Sequence, residues 1–196
     1  MKKLDTLRKQ LKPGKVYRRA DLSQWSNAVD RHLAQLVEEG SLNKLAPGLY
    51  YAPKQTVFGA APPEEHELVR SFLKEDDFLL TTPNAYNSLG VGTTQLYNKR
   101  VVYNHKRHGS FYLGGREFFF HVKHRFPKKL SPEFLLVDLL NNLNSLAEDK
   151  DEVLKKTLVK AKSLDRKSLL QSVARYGNTK TKALLSPALK ESSYAV

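Results

Sequence analysis

The chain has 196 residues and a formal charge of +13, from 33 Lys and Arg against 20 Asp and Glu, and 40% of it is hydrophobic, enough for a core. It has no cysteine, which excludes a disulfide scaffold, a zinc finger or ribbon and a cysteine nucleophile. No apolar run approaches the roughly 18 residues of a membrane span. Met1-Lys2-Lys3-Leu4-Asp5 is charged where a secretory leader would be apolar, so a cytoplasmic protein with no membrane partner is expected.

The positive charge is unevenly spread. Residues 1–61 carry 11 basic and 5 acidic side chains, and residues 62–97 carry 2 and 6. Residues 98–129 carry 9 and 1, with four of the six histidines. Two basic blocks flank an acidic one, the balance of a protein with a polyanionic partner.

Leu4, Leu7 and Leu11 recur at helical spacing, and Pro13-Gly14 ends that helix. Val16-Tyr17 is a short extended pair, and Arg19 to Trp25 a second short helix. Ser26 has the character of an N-cap for a third helix, with Val29, Leu33, Leu36 and Val37 inward and a stop at Gly40. Residues 42–46, the Pro47-Gly48 turn and residues 49–52 read as a hairpin. Helix, strand, helix, helix, hairpin is the order of a winged helix-turn-helix, and residues 1–57 are assigned to such a DNA-binding domain.

A duplex major groove admits one helix, whose N-terminal half meets the base edges. With the apolar residues inward, Asn27, Asp30, Arg31 and Gln35 are expected to face out, and double-stranded DNA is the expected partner. Asn27 suits a bidentate contact with adenine and Arg31 one with guanine or a phosphate, Asp30 serving to orient Arg31. Ser23 and Ser26 are expected to offer hydroxyl or backbone N–H groups to phosphates near the helix start. Arg18 and Arg19 are candidate phosphate clamps, and Lys44 and Lys54 candidates for the backbone beside the hairpin.

Phe58-Gly59-Ala60-Ala61-Pro62-Pro63 reads as a linker of small residues and prolines, residues 58–63, before a larger α+β domain over residues 64–196. There the pattern predicts a helix over 66–73, a strand at 78–81 and a helix from Thr82-Pro83 to Leu89-Gly90. Strands follow over 101–105, 110–113 and 116–124, the last two joined by a Gly114-Gly115 turn. Residues 132–146, 153–161, 166–176 and 179–185 form a helical tail by periodicity. The fold class expected is α+β.

No enzyme is expected. His121 and His124 fall on opposite faces of a strand of period two, and Glu117 is the only carboxylate in that block, a poor set for a metal. Asp76-Asp77 is followed by no Glu-x-Lys strand of a nuclease, and neither a phosphate-binding glycine loop nor a Gly-x-Ser-x-Gly elbow is present. No cofactor is called for. Lys99, Arg100, Lys106, Arg107, Arg116, Lys123, Arg125, Lys128 and Lys129 alternate with aromatic residues and form a candidate second basic surface, toward flanking DNA or an acidic protein.

The segment YRRADLSQWSNAVDRHLAQLVEEGSLNKLAPGLYYAP resembles the N-terminal winged helix of AbiEi-type antitoxins, with Gly40, Leu42, Gly48, Leu49, Tyr50 and Pro53 filling the family's wing pattern. Leu79 to Gln95, a strand end, a helix, a Leu-Gly pair and a Thr-Gln turn, is similar to a middle segment of the same family. The resemblance spans most of residues 14–145. It implies an antitoxin that represses its own operon, on operators that are often repeated, and opposes a nucleotidyltransferase-like toxin. The alternatives are a protein-interaction antitoxin with a vestigial winged helix, and an RNA-binding or nuclease module.

Overall fold

The structure, a computed structural model, describes residues 3–191 and is a mixed α+β fold. It divides into two compact units. The first comprises residues 1–77 and 106–118, and the second residues 78–105 and 119–196.

The first unit opens with α1 (Lys3–Gln10), β1 (Val16–Arg18) and α2 (Arg19–Leu22), which runs into one 3-10 turn at Ser23–Trp25. Next come α3 (Val29–Glu38), β2 (Asn43–Ala46) and β3 (Leu49–Tyr51). The strands form an antiparallel sheet in the order β1-β3-β2, with Val16 opposite Tyr51 and Lys44 opposite Tyr50. Leu7, Leu22, Val29, Leu33, Leu36 and Leu42 are buried together, with Trp25 packed against them. Gly40 (φ +74°) reverses the chain after α3, where the Leu42 N–H closes on the Leu36 carbonyl at 3.0 Å.

The segment expected as a linker is a strand. Lys54–Thr56 (β4) pairs antiparallel with Gly59–Ala61 (β5), and the Tyr51 hydroxyl donates to the Ala61 carbonyl at 2.8 Å. Small side chains hid it: Gly59, Ala60 and Ala61 of β5 carry no apolar alternation. Helix α4 (Glu65–Leu73), placed by the sequence in the larger domain, belongs to the first unit, as do β8 (Gly109–Leu113) and the start of β9 (Arg116–Val122). Gly114 (φ +57°) and Gly115 (φ +76°) make the tight turn between those strands. The Gly114 N–H donates to the Leu45 carbonyl at 3.0 Å, and a Cβ there would sit 3.3 Å from Leu45 Cδ2, a tight contact that the Leu45 side chain would have to relieve.

The second unit holds β6 (Leu79–Thr81), which pairs antiparallel with β7 (Arg100–Asn104), itself beside β9. Pro83–Leu89 is a 3-10 helix where the sequence promised a helix without specifying type; Thr82 caps its start and Gly90 (φ +66°) its end. Strand β9 stops at Val122, two residues before the predicted end. Helix α5 (Pro132–Asn142) is capped by the Ser131 hydroxyl and runs through the core, with Phe134 to Leu140 all buried. Helices α6 (Lys150–Ala161), α7 (Arg166–Tyr176) and α8 (Thr179–Glu191) follow, the first two capped by Asp149 and Asp165. Among the described residues no helix is long and apolar enough to cross a membrane.

Candidate nucleic-acid interface

Helix α3 separates its residues by face. Val29, His32, Leu33 and Leu36 are buried, while Asp30, Arg31, Ala34, Gln35 and Glu38 are exposed, with Asn27 exposed just before the helix. Asn27 and Arg31 carry no ion pair or hydrogen bond on their side chains among the described residues. Lys44 on β2 and Lys54 on β4 are likewise exposed and unpaired among the described residues.

The other expected contacts are engaged within the unit. Arg19 grips Asp30, with Nε to Oδ1 and Nη2 to Oδ2 both at 2.6 Å. The Asp30 carboxyl is held below the usual carboxylate range by that hydrogen bond, and the Arg19 guanidinium is raised by the same contact. Asp30 therefore orients Arg19, not Arg31 as the spacing implied. An i, i+1 pair diverges on a helix, whereas the residue at the start of α2 meets the first turn of α3. Arg18 is bidentate to Asp21 at 2.7 and 2.9 Å, a local i, i+3 pair that occupies the fork expected to clamp phosphate.

Gln35 donates to Glu39 at 3.0 Å, and Glu39 also accepts from Arg8 at 2.6 Å, which lowers its carboxyl pKa, Arg8 being the larger cause and Gln35 the second. Ser23 donates its hydroxyl to the Ala20 carbonyl at 2.7 Å. Ser26 is not at the surface: it is buried, its hydroxyl is 2.7 Å from His32 Nδ1, and it accepts the Ala28 N–H at 3.1 Å. The cap of helix α3 lies two residues later than expected, at Ala28, which makes no side-chain bond. Ser26 thus orders the turn between α2 and α3 and satisfies His32, a buried residue that an apolar-only reading of the helix face omits.

The second basic block is divided between the two units. Lys106, Arg107 and Arg116 lie in the first unit and the remaining six in the second. In the first, Lys106 pairs with Glu75 at 2.8 Å and Arg116 with Glu65 at 2.9 Å, while the Arg107 guanidinium lies 4.5 Å from the Phe72 ring centroid. In the second, Lys99 lies over the Phe119 ring at 4.5 Å, and Arg100 donates to Asn98 at 3.3 Å. Arg125, Lys128 and Lys129 are exposed and unpaired among the described residues. Of the interleaved rings, Tyr103, Phe118 and Phe120 are buried, Tyr97, Phe111 and Phe119 half-buried, and Tyr112 exposed.

Lys123 has a different task from surface binding. Its ammonium sits 3.1 Å from Asp138 Oδ1 and 3.5 Å from the Tyr103 ring centroid. Asp138, buried on α5, also accepts the Tyr86 hydroxyl at 2.8 Å and the Tyr103 hydroxyl at 2.9 Å. Burial first, and then the Asp138 charge, push both phenols well above their ordinary pKa. A signal for this cluster was present: Asp138 is the lone acid inside the apolar run Phe134-Leu-Leu-Val-Asp-Leu-Leu. Among the described residues no group of three His, Asp or Glu side chains is placed to hold a metal ion.

The chain matches no protein-family model, no curated protein and no solved structure.

Proposed function

We propose that the chain is a sequence-specific DNA-binding regulator that lays α3 in the major groove and reaches the backbone with the β2–β3 wing. The observation that carries this reading is the outward stripe of α3. Asn27 and Arg31, two side chains suited to base edges, are exposed there and uncommitted among the described residues. Two acids are each held by an arginine, Asp30 beside Arg31 by Arg19 and Glu39 just past the end of α3 by Arg8. On α3 itself Asp30 is paired, while Glu38, at the far end of the helix, is exposed and makes no ion pair among the described residues. The order of α1, β1, α2, α3 and the β2–β3 hairpin, with the sheet β1-β3-β2, supports a winged helix-turn-helix.

The resemblance of residues 17–53 to AbiEi-type antitoxins extends the proposal to an autorepressing antitoxin that opposes a nucleotidyltransferase-like toxin. A mobility-shift titration tests the DNA step: the full chain against a duplex from the region upstream of its own gene, and against random duplex of equal length, at fixed salt. Tighter binding to the upstream duplex is expected. Equal affinity for both would defeat specific regulation.

A further inference from the structure

The second unit contains a cavity of about 580 Å³ between the end of β9 and the corner joining α7 to α8. Its walls include Lys123 and Arg125 after β9, Arg175 in the last turn of α7 and Lys182 in the first turn of α8, with His124 beside them. No carboxylate lines it among the described residues. Arg125, Arg175 and Lys182 have no ion-pair partner among those residues. By contrast, Arg18, Arg19 and Arg116 are each matched with an acid. Here three unmatched cations from three segments converge on one concavity, where field lines focus and an anion is drawn in.

One wall is rigid. The Lys123 ammonium is fixed by Asp138, which is 1% exposed and held in turn by two tyrosine hydroxyls. The Asn142 amide donates to the Asp138 carbonyl at 2.8 Å and to both hydroxyls at 3.3 Å. Asn141 donates to the Tyr176 carbonyl at 2.9 Å and accepts from the Asn178 N–H at 3.0 Å, and the Asn178 side chain caps the Thr181 N–H at 2.8 Å. The side-chain amides of Asn141 and Asn142 are therefore spent inside the fold. The groups left for a ligand include the guanidiniums of Arg125 and Arg175 and the Lys182 ammonium, which match phosphate oxygens.

We propose that this cavity binds the oligophosphate group of a small molecule. The charge of a di- or triphosphate is concentrated in one compact group, which fits cations converging on a cavity; the phosphates of a duplex are strung along a line instead. The site is independent of α3 and of the DNA reading, and either can fail without the other.

Titration calorimetry of the full chain with inorganic tripolyphosphate at physiological salt tests it. Saturable binding of one tripolyphosphate per chain is expected. Arg125→Ala, Arg175→Ala and Lys182→Ala should each weaken it about tenfold or more, the scale of one charge-assisted hydrogen bond. These positions are exposed, so the variants should fold, which circular dichroism checks. The double variant Lys128→Ala/Lys129→Ala, which removes exposed cations that do not line the cavity, should bind as the parent does. Absence of saturable binding overturns the proposal, as does an equal loss in the Lys128/Lys129 variant. Orthophosphate or sulfate binding as tightly as tripolyphosphate would mean an adventitious ion only. A short duplex that displaces tripolyphosphate, and loses its own affinity in the three cavity variants, would reassign these cations to a nucleic-acid backbone.

Discussion

Asp30→Asn should make the protein bind DNA more tightly and with a steeper dependence on salt. The wild-type carboxylate holds both arms of the Arg19 fork at 2.6 Å, so neither is available to a phosphate. Its carboxyl is held below the ordinary range by Arg19, so the pair stays closed across the neutral pH range in which binding is measured. The substitution removes one negative charge from the proposed DNA face and releases one guanidinium beside it. One new phosphate contact makes the slope of log K against log salt about 0.9 more negative, which is roughly a threefold further loss of affinity between 50 and 200 mM salt. The Asp30 side chain is 69% exposed, so the change leaves no buried group without a partner. Fluorescence anisotropy on random duplex across a salt series reads the slope directly. In an Arg19→Ala background the steepening should vanish, because the released charge is then absent. A slope that stays flat, or one that steepens equally without Arg19, would refute the reasoning.

Other outcomes follow from the same geometry. Arg31→Ala should cost specific binding about 1–3 kcal/mol, the scale of a bidentate base contact, and leave random-duplex affinity nearly unchanged in a competition shift assay. Lys44→Ala should weaken specific and random binding alike and make the salt slope about 0.9 less negative. Asp138→Leu should destabilise the fold by about 3 kcal/mol in urea unfolding followed by far-ultraviolet circular dichroism, because two buried hydroxyls lose their acceptor. The triple variant that adds Tyr86→Phe and Tyr103→Phe should recover much of that loss, since no orphaned hydroxyl remains. Both phenols have folded pKa values raised above the unfolded value of about 10, so the folded chain keeps protons that the unfolded one releases. Their contribution is intact below about pH 10 and lost as pH rises above it; Tyr86→Phe/Tyr103→Phe should flatten the alkaline fall in stability measured in urea.

Local patterns in the sequence were legible where the physics is local. Leu33 and Leu36 mark the buried face of α3, Gly114-Gly115 supplies the positive φ of a two-residue turn, and Thr82-Pro83 starts its helix as a first-turn proline should. Pairings between distant residues were not legible. Asp30 has a basic neighbour at Arg31 and another eleven residues back at Arg19, and only the crossing of α2 and α3 selects the latter. Residues 59–61 were hidden as a strand because Gly and Ala carry no alternation. The return of residues 106–118 to the first unit has no sequence signal either, since a chain that leaves a unit and comes back looks like a chain that leaves.

A formal charge of +13 is thus a poor map of where a polyanion will sit. Arg8, Arg18, Arg19, Lys106, Arg116 and Lys123 all count toward that total, yet each is matched to a carboxylate of the same unit. Such pairs, where exposed, add little to stability, and their consequence is subtraction: they remove cations from the set that a ligand can use. The cations left unpaired among the described residues include Arg31, Lys44 and Lys54 in the first unit, and Arg125, Arg175 and Lys182 around the cavity with Lys128 and Lys129 outside it in the second. The densest basic block of the sequence, residues 98–129, supplies Arg125 to the cavity and spends Lys123 on Asp138. Charge that reads as one block along the chain is, in space, split between cations that carboxylates hold and cations left free for a ligand.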